Sequence, residues 1–421
     1  MLQVRSILDG EALFSDRSVV FWLLAALGEL TGDVIVGNKL AACLFGALTA
    51  VGGALAGWRW TGSLAGGIAC GVWWAASPLH LGISAEFLKN SGGVAVLALL
   101  IAALAGRSRR ALIAAVGLAL LGPLVHKLTG VLGLILLAGR LLATRTSPRL
   151  LLAAAGLGAL VVLSVGLLRP ADLTRLIGAE DGAERTMLLL TGRLIIAEKA
   201  ELLAAHLAPL LLGLLSRRPA LRGLGLAVLP VSLIILAPGL PLGWDETAWR
   251  LLLMSFVPVG LVAAALSAHR PLVCAAVVLA GLSGLPSSVD AQRGRSPDYA
   301  ALSAILPAIQ AQVPDGGRLI AHRGLCGFLW AEGGILCENF QPQGTDLSGY
   351  WRVVYGFSAA RLSGGQRPPV PLLPGYVLLH EPDWQTFASG AGARFSLTHN
   401  PRNPHKPRPG FVYGPDEDGA P

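Results

Sequence analysis

The sequence predicts an all-α polytopic membrane bundle of about ten transmembrane helices, followed by a small α/β domain on the outer side of the membrane. Three observations predict it. Hydrophobic residues make up 53% of the 421-residue chain and charged residues only 14%, against roughly 25% charged in a soluble domain. Apolar windows of about 18 residues, the length that crosses roughly 30 Å of hydrocarbon as a helix, recur over the first two thirds of the sequence. Beyond Pro286 that repetition stops and alternating short helix and strand patterns take over.

The ten windows are approximately 34–57, 63–79, 90–106, 110–125, 128–144, 149–168, 199–215, 221–238, 249–267 and 271–287. Residues 1–17 hold Asp9, Glu11 and Asp16 and lack the basic-then-apolar order of a signal peptide. Residues 18–31 are apolar over too short a stretch to cross. With Ser18 available as a cap, they predict a helix lying along the outer membrane surface. The transmembrane domain thus covers 1–287.

Alternate connections carry Arg59; Arg107, Arg109 and Arg110; Arg140, Arg145 and Arg149; Arg217, Arg218 and Arg222; and Arg270, with no acid among them. Such a bias marks the cytoplasmic side. The remaining connections hold the acids, among them Asp33, Glu86, Asp172, Glu198, Glu201 and Asp245, and are expected to face outward. The net charge of +8 is therefore a signature of topology, and it gives no reason to invoke nucleic acid.

Residues 288–398 predict the outer α/β domain. "SPDYAALSAILPAIQAQVPDGG" reads as a helix capped by Ser296, "RLIAHRG" and "GYVLLHE" as short buried strands, and "PDWQTFAS" as the start of another helix. Residues 399–421, rich in Pro and charge, predict a disordered tail. Cys326 and Cys337 flank "GFLWAEGGIL", and an oxidising outer compartment would allow them to pair across a hairpin; two free thiols are the alternative. CxxC and HExxH spacings and Gly-rich phosphate loops are missing from the sequence.

The ionisable residues near span ends are the candidates for chemistry, because such charges are costly unless used. Asp16 and Asp9 precede the surface helix; Glu86 and Lys89 open the third span; His126 and Lys127 form an outer turn; Arg250 opens the ninth span. Each also has a purely structural reading. Glu86 and Lys89 fit a local ion pair, Asp16 a helix cap, His126 a hydrogen-bonded interface residue, and Lys39 and Lys127 snorkelling cations.

"RSILDGEALFSDRSVVFWLLAALGELTGD", "SAEFLKNSGGVAVLAL", "LVHKLTG" and "AWRLLLMSFVPVGLVAAAL", taken in order, resemble motifs of the GT-C membrane glycosyltransferases, the class that includes protein mannosyltransferases and aminoarabinose transferases. The resemblance covers roughly residues 4–267. Members normally begin with a span followed by an acid that serves as catalytic base. This chain starts after the place of that first span, and Asp16 matches the second acid of the family better than the first. The resemblance implies sugar transfer from a polyprenyl-phosphate donor to a glycan, lipid or protein acceptor at the outer face of a bacterial cytoplasmic membrane. It assigns base or acceptor-positioning roles to Asp16 and Asp9, and lipid-phosphate contacts to Lys89, Arg250 and Lys127. It also allows a divalent ion between Asp16 and His126. A non-catalytic scaffold of the same ancestry and a lipid or solute transporter are the other two readings.

Overall fold

The computed structural model describes most of residues 18–143, three positions before them, four positions within 198–204, residues 254–295, and segments between 299 and 380. The expected spans 149–168 and 221–238, most of 199–215, the start of 249–267, the helix beginning "PDWQTFAS" and the tail 399–421 lie outside these residues. The chain divides into a helical unit, Ala12–Gln292, and a second unit made of Arg293–Pro421 with Met1–Glu11.

In the helical unit the first two helices begin and end where the sequence supplies caps. Ser18 caps α1 (Val19–Thr31) by accepting from the Val20 N–H at 3.3 Å, and Gly32, at φ 67°, ends it in the left-handed conformation that glycine adopts without strain. Asp33 then caps α2 (Val34–Thr61), its carboxylate accepting from the N–H groups of Ile35 and Val36. Gly62, at φ 68°, ends α2. The following helices are α3 (Leu64–Ala76), α4 (Pro78–Glu86), α5 (Leu88–Ala105), α6 (Arg109–Val125), α7 (Lys127–Ala143), α8 (Phe256–Ser267), α9 (Pro271–Ser283) and α10 (Leu285–Arg295).

Among the described residues three stretches are long and apolar enough to cross a membrane: Val34–Thr61, Leu88–Ala105 and Pro271–Asp290, the last running from α9 into α10. At about 1.5 Å per residue, the 28 residues of α2 extend roughly 42 Å. The helix stands at the centre of the described packing. α1 doubles back along it: Gly37 meets the Gly28 backbone, while Val20 and Phe45 both stand against Gly92. Eight residues separate the two contact points in each helix, so α1 and α2 form an antiparallel pair in step. α1 therefore follows the axis of a candidate spanning helix instead of lying flat across its end, because small residues on both helices let the backbones close up.

On another face of α2, Gly57 meets Cys70, Gly53 meets Trp74 and Gly46 faces His80. This second antiparallel run continues through α3 into α4, so the expected span 63–79 is part of a longer helix interrupted at Ser77. α5 runs parallel to α2, with Gly52 against Ala98 and Arg59 donating from Nη1 to the Ala102 carbonyl at 2.9 Å. The buried core gathers Trp74, Leu79, Ile83, Leu97, Leu100 and Phe256.

In the second unit α11 (Tyr299–Gln312) precedes β1 (Arg318–Ile320), α12 (Arg323–Gly333), β2 (Cys337–Glu338), β3 (Tyr350–Tyr355), β4 (Val370–Leu373) and β5 (Tyr376–His380). The strands form one mixed sheet in the order β2-β1-β3-β5-β4, with β1 parallel to β2 and β3 and the other two pairs antiparallel. Cys326 and Cys337 are joined by a disulfide with Cα atoms 4.9 Å apart. The bridge ties α12 to the first residue of β2, so "GFLWAEGGIL" is mainly helical and the expected hairpin is corrected. The apolar residues of α12 recur at helical spacing, with Leu325, Phe328 and Leu329 buried.

Candidate functional site

The interruption at Ser77 is written in "WWAASPLHLG". A residue before proline is pushed out of the helical region, and Ser77 stands at φ −55° and ψ 127°. Pro78 then begins α4 in the first-turn position where its missing N–H costs nothing. The break frees backbone donors inside the bundle, and each has a specific acceptor. The His80 N–H donates to Ser77 Oγ at 3.1 Å. The Leu79 N–H donates to Glu201 Oε2 at 3.2 Å. Ser77 Oγ also donates to Glu201 Oε2, at 2.7 Å, and Trp73 Nε1 donates to Glu201 Oε1 at 2.8 Å. A carboxylate from a distant segment thus caps the first turn of α4, where the helix dipole favours negative charge.

Glu201 is 5% exposed and Glu198 1% exposed. Both were expected among the outward-facing loop acids; both are buried instead. Because His80 faces Gly46 and Trp74 faces Gly53, the break lies beside the middle of α2. The same place holds a short polar chain: Ser91 Oγ to Ser84 Oγ at 3.2 Å, and Ser84 Oγ to His80 Nε2 at 3.5 Å. His80 is 2% exposed, and its ring lies 5.2 Å from that of Phe256. The carbonyls of Trp74 and Ala75 are near the imidazole, but Nδ1 makes no well-formed hydrogen bond. Trp74, the side chain behind the break, donates from Nε1 to the Val257 carbonyl at 3.2 Å and meets the edge of Phe256.

Of the residues expected from sequence, Lys89, His126 and Lys127 come together at one end of the bundle. Lys89 Nζ stands 5.8 Å from the centre of the Phe21 ring on α1, a cation–π arrangement. Gly92 packs against Val20, and Gly93 against His126 and Thr129. Ser18 Oγ donates to the Val125 carbonyl, fastening the amino end of α1 to the turn that holds His126 and Lys127. His126 is 3% exposed and serves α7 as its cap, with Nδ1 facing the Thr129 N–H at 3.5 Å while Thr129 Oγ1 donates back to its carbonyl at 3.1 Å. Glu86 is the last residue of α4. Asp9, Asp16 and Arg250 lie outside the described residues. Among the described residues no group of three metal-ligating side chains occurs.

The described arginine turns, those of Arg59, Arg109, Arg140 and Arg270, gather at the opposite end. Arg59 reaches α5 near its close, the His269 N–H donates to Ser63 Oγ, and Arg109 and Arg140 border one cleft. Sequence reasoning missed the buried centre at Glu201, His80 and Ser77. Two signals for it were present: a Ser-Pro inside an apolar run, and two acids one turn apart at the start of another. An acid within an apolar helix is a functional candidate by default, but these two were assigned to a connection. Comparison with protein-family models, curated proteins and solved structures finds no match to this chain.

Proposed function

We propose that the protein is a GT-C-like membrane glycosyltransferase of about ten crossings. It transfers a sugar from a polyprenyl-phosphate donor to an acceptor at the outer face of a bacterial cytoplasmic membrane. In this reading α3 and α4 together make one broken crossing. The observation that carries the reading is the gathering of Lys89, His126, Lys127 and the amino end of α1 at the end of the bundle opposite the arginine turns. Two ammonium groups at that level suit the departing lipid phosphate, whose negative charge they would stabilise. Asp16, two residues before Ser18 in the sequence, is the proposed base for the acceptor hydroxyl, with Asp9 as the second acid. Arg250 is the third proposed phosphate contact and Glu86 a positioning residue for Lys89.

The test is binding of undecaprenyl phosphate to the detergent-solubilised full chain, followed by native mass spectrometry. Lys89→Ala and Lys127→Ala should each weaken binding about tenfold, the size of one charge-assisted hydrogen bond. Asp16→Asn should leave it unchanged while lowering transfer of labelled sugar in vesicles. Wild-type protein that fails to bind the lipid saturably would end this reading.

A second reading is supported by a different observation. Transporters place discontinuous helices, with buried polar and ionisable groups at the break, near the middle of the membrane. The Ser77 break, Glu201 and His80 are such a set. Solute or proton flux in proteoliposomes that is abolished by Glu201→Gln, with undecaprenyl phosphate binding absent, would select this reading over transfer.

A further inference from the structure

A cleft of about 240 Å³ opens between the end of α5, the start of α6 and the end of α7, at the arginine end of the bundle. Leu104, Leu112 and Leu141 line its apolar part, and Ser108, Arg109 and Arg140 its polar part. We infer that this cleft binds the headgroup of an anionic glycerophospholipid from the leaflet at that end, with the phosphate between Arg109 and Arg140.

Charge complementarity supports this occupant. Two guanidinium groups from different helices border one cavity, and the described residues lining it include no acid. The turn between α5 and α6 and the residues following α7 are likewise free of Asp and Glu in sequence. Guanidinium groups form paired hydrogen bonds to phosphate, and the first turn of α6 adds the partial positive charge of a helix amino terminus. Ser108 Oγ accepts from the Ala111 N–H at 3.1 Å, which holds that turn in place. Arg59 does not line the cleft and is not assigned to the lipid.

The apolar side of the cleft matches the other half of such a ligand. Ile113 on α6 and Ile135 and Leu136 on α7 are exposed on the helices that bound it, giving acyl chains a surface to follow. A free phosphate ion would use the arginines and leave this apolar part without a role. Basic pockets between helices on the positively charged side of a membrane bundle are suited to anionic headgroups on general electrostatic grounds.

The experiment is native mass spectrometry of the full chain released from mixed micelles containing phosphatidylglycerol and phosphatidylcholine in equal amounts. Wild type should retain phosphatidylglycerol in preference. Arg109→Gln with Arg140→Gln should reduce that preference about tenfold or more, from roughly 1 kcal/mol per basic residue near a charged lipid surface. Arg270→Gln, an exposed arginine at the same end that does not line the cleft, should not reduce it. Leu112→Trp, which fills the cleft and keeps both charges, should also reduce retention. If the double arginine variant does not fold, Leu112→Trp and Arg140→Lys decide the matter: loss with the first and retention with the second support the site. Equal retention of both lipids by wild type, equal loss in Arg270→Gln, or full displacement of phosphatidylglycerol by millimolar inorganic phosphate would each overturn the inference.

Discussion

α2 and the α3–α4 pair run side by side in opposite directions, yet one is continuous over 28 residues and the other breaks at Ser77. Both are apolar and rich in small residues. α2 carries its glycines where neighbours must come close: Gly37 against α1, Gly52 against α5, Gly53 against Trp74. These positions leave the helix unbroken from Val34 to Thr61. The α3–α4 pair carries a proline, which removes one donor and turns the residue before it out of the helix. A glycine-rich helix adapts by approach, and a proline-broken one must find partners for the groups it frees. In an apolar bundle those partners come from protein, and here Glu201 and Ser77 supply them.

Removing the carboxylate is the strongest way to break that contrast. Glu201→Ala strands the Leu79 N–H, the Ser77 hydroxyl and the Trp73 indole N–H, and it should cost about 3 kcal/mol or more from buried donors left unpaired. The thermal midpoint of the solubilised protein should fall clearly, and fall less in Glu201→Gln. A midpoint unchanged in both would show that the break holds itself open without the acid.

Overpacking behind the break comes next. A Cβ on Gly260 would collide with the Trp74 indole, so Gly260→Val should cost about 2–3 kcal/mol by displacing it. The same substitution at Gly117, which has nothing within 4 Å of an added Cβ, should be nearly silent. Equal loss at both positions would mean that helix propensity, not contact with Trp74, sets the cost.

Healing the break should have a smaller effect with a diagnostic sign. Pro78→Ala alone should change stability by less than about 1 kcal/mol, because Glu201 still holds the turn open. In the Glu201→Ala background it should recover about 1 kcal/mol by letting the helix close. Strict additivity in that cycle would separate the proline from the acid. Smallest of all, His80→Leu should leave stability unchanged or raise it by about 0.5–1 kcal/mol, since it removes a buried nitrogen that has no well-formed partner. A clear loss would assign the imidazole a structural bond that outweighs the unpaired nitrogen.

The helices themselves were largely legible. Windows 34–57, 90–106, 110–125 and 128–144 correspond to α2, α5, α6 and α7 within a few residues, because apolar run length and glycine or serine stops are local properties. Ser18 as a cap and the strand at "GYVLLHE" were legible for the same reason. The strand β3, "YWRVVY", was missed although its β-branched and aromatic residues favour it and it pairs with both of the expected strands, β1 and β5. Of the site, the shared level of Lys89, His126 and Lys127 followed from counting spans. The site built around Glu201 did not.

By itself the sequence determined, among the described residues, that the first part of the chain folds as apolar helices, where several of them begin and end, and that the turns holding Arg59, Arg109, Arg140 and Arg270 share one end of the bundle. Those properties depend on neighbouring residues and on the high cost of burying charge, both of which a linear pattern records. Only the tertiary structure decided that α1 runs along α2, that α12 and not a hairpin lies between Cys326 and Cys337, and that Glu201 closes a break more than 120 residues away in the chain. A carboxylate satisfies whichever donors packing brings to it, and which donors those are depends on helix contacts spread across the whole unit. No local pattern around Glu201 encodes them.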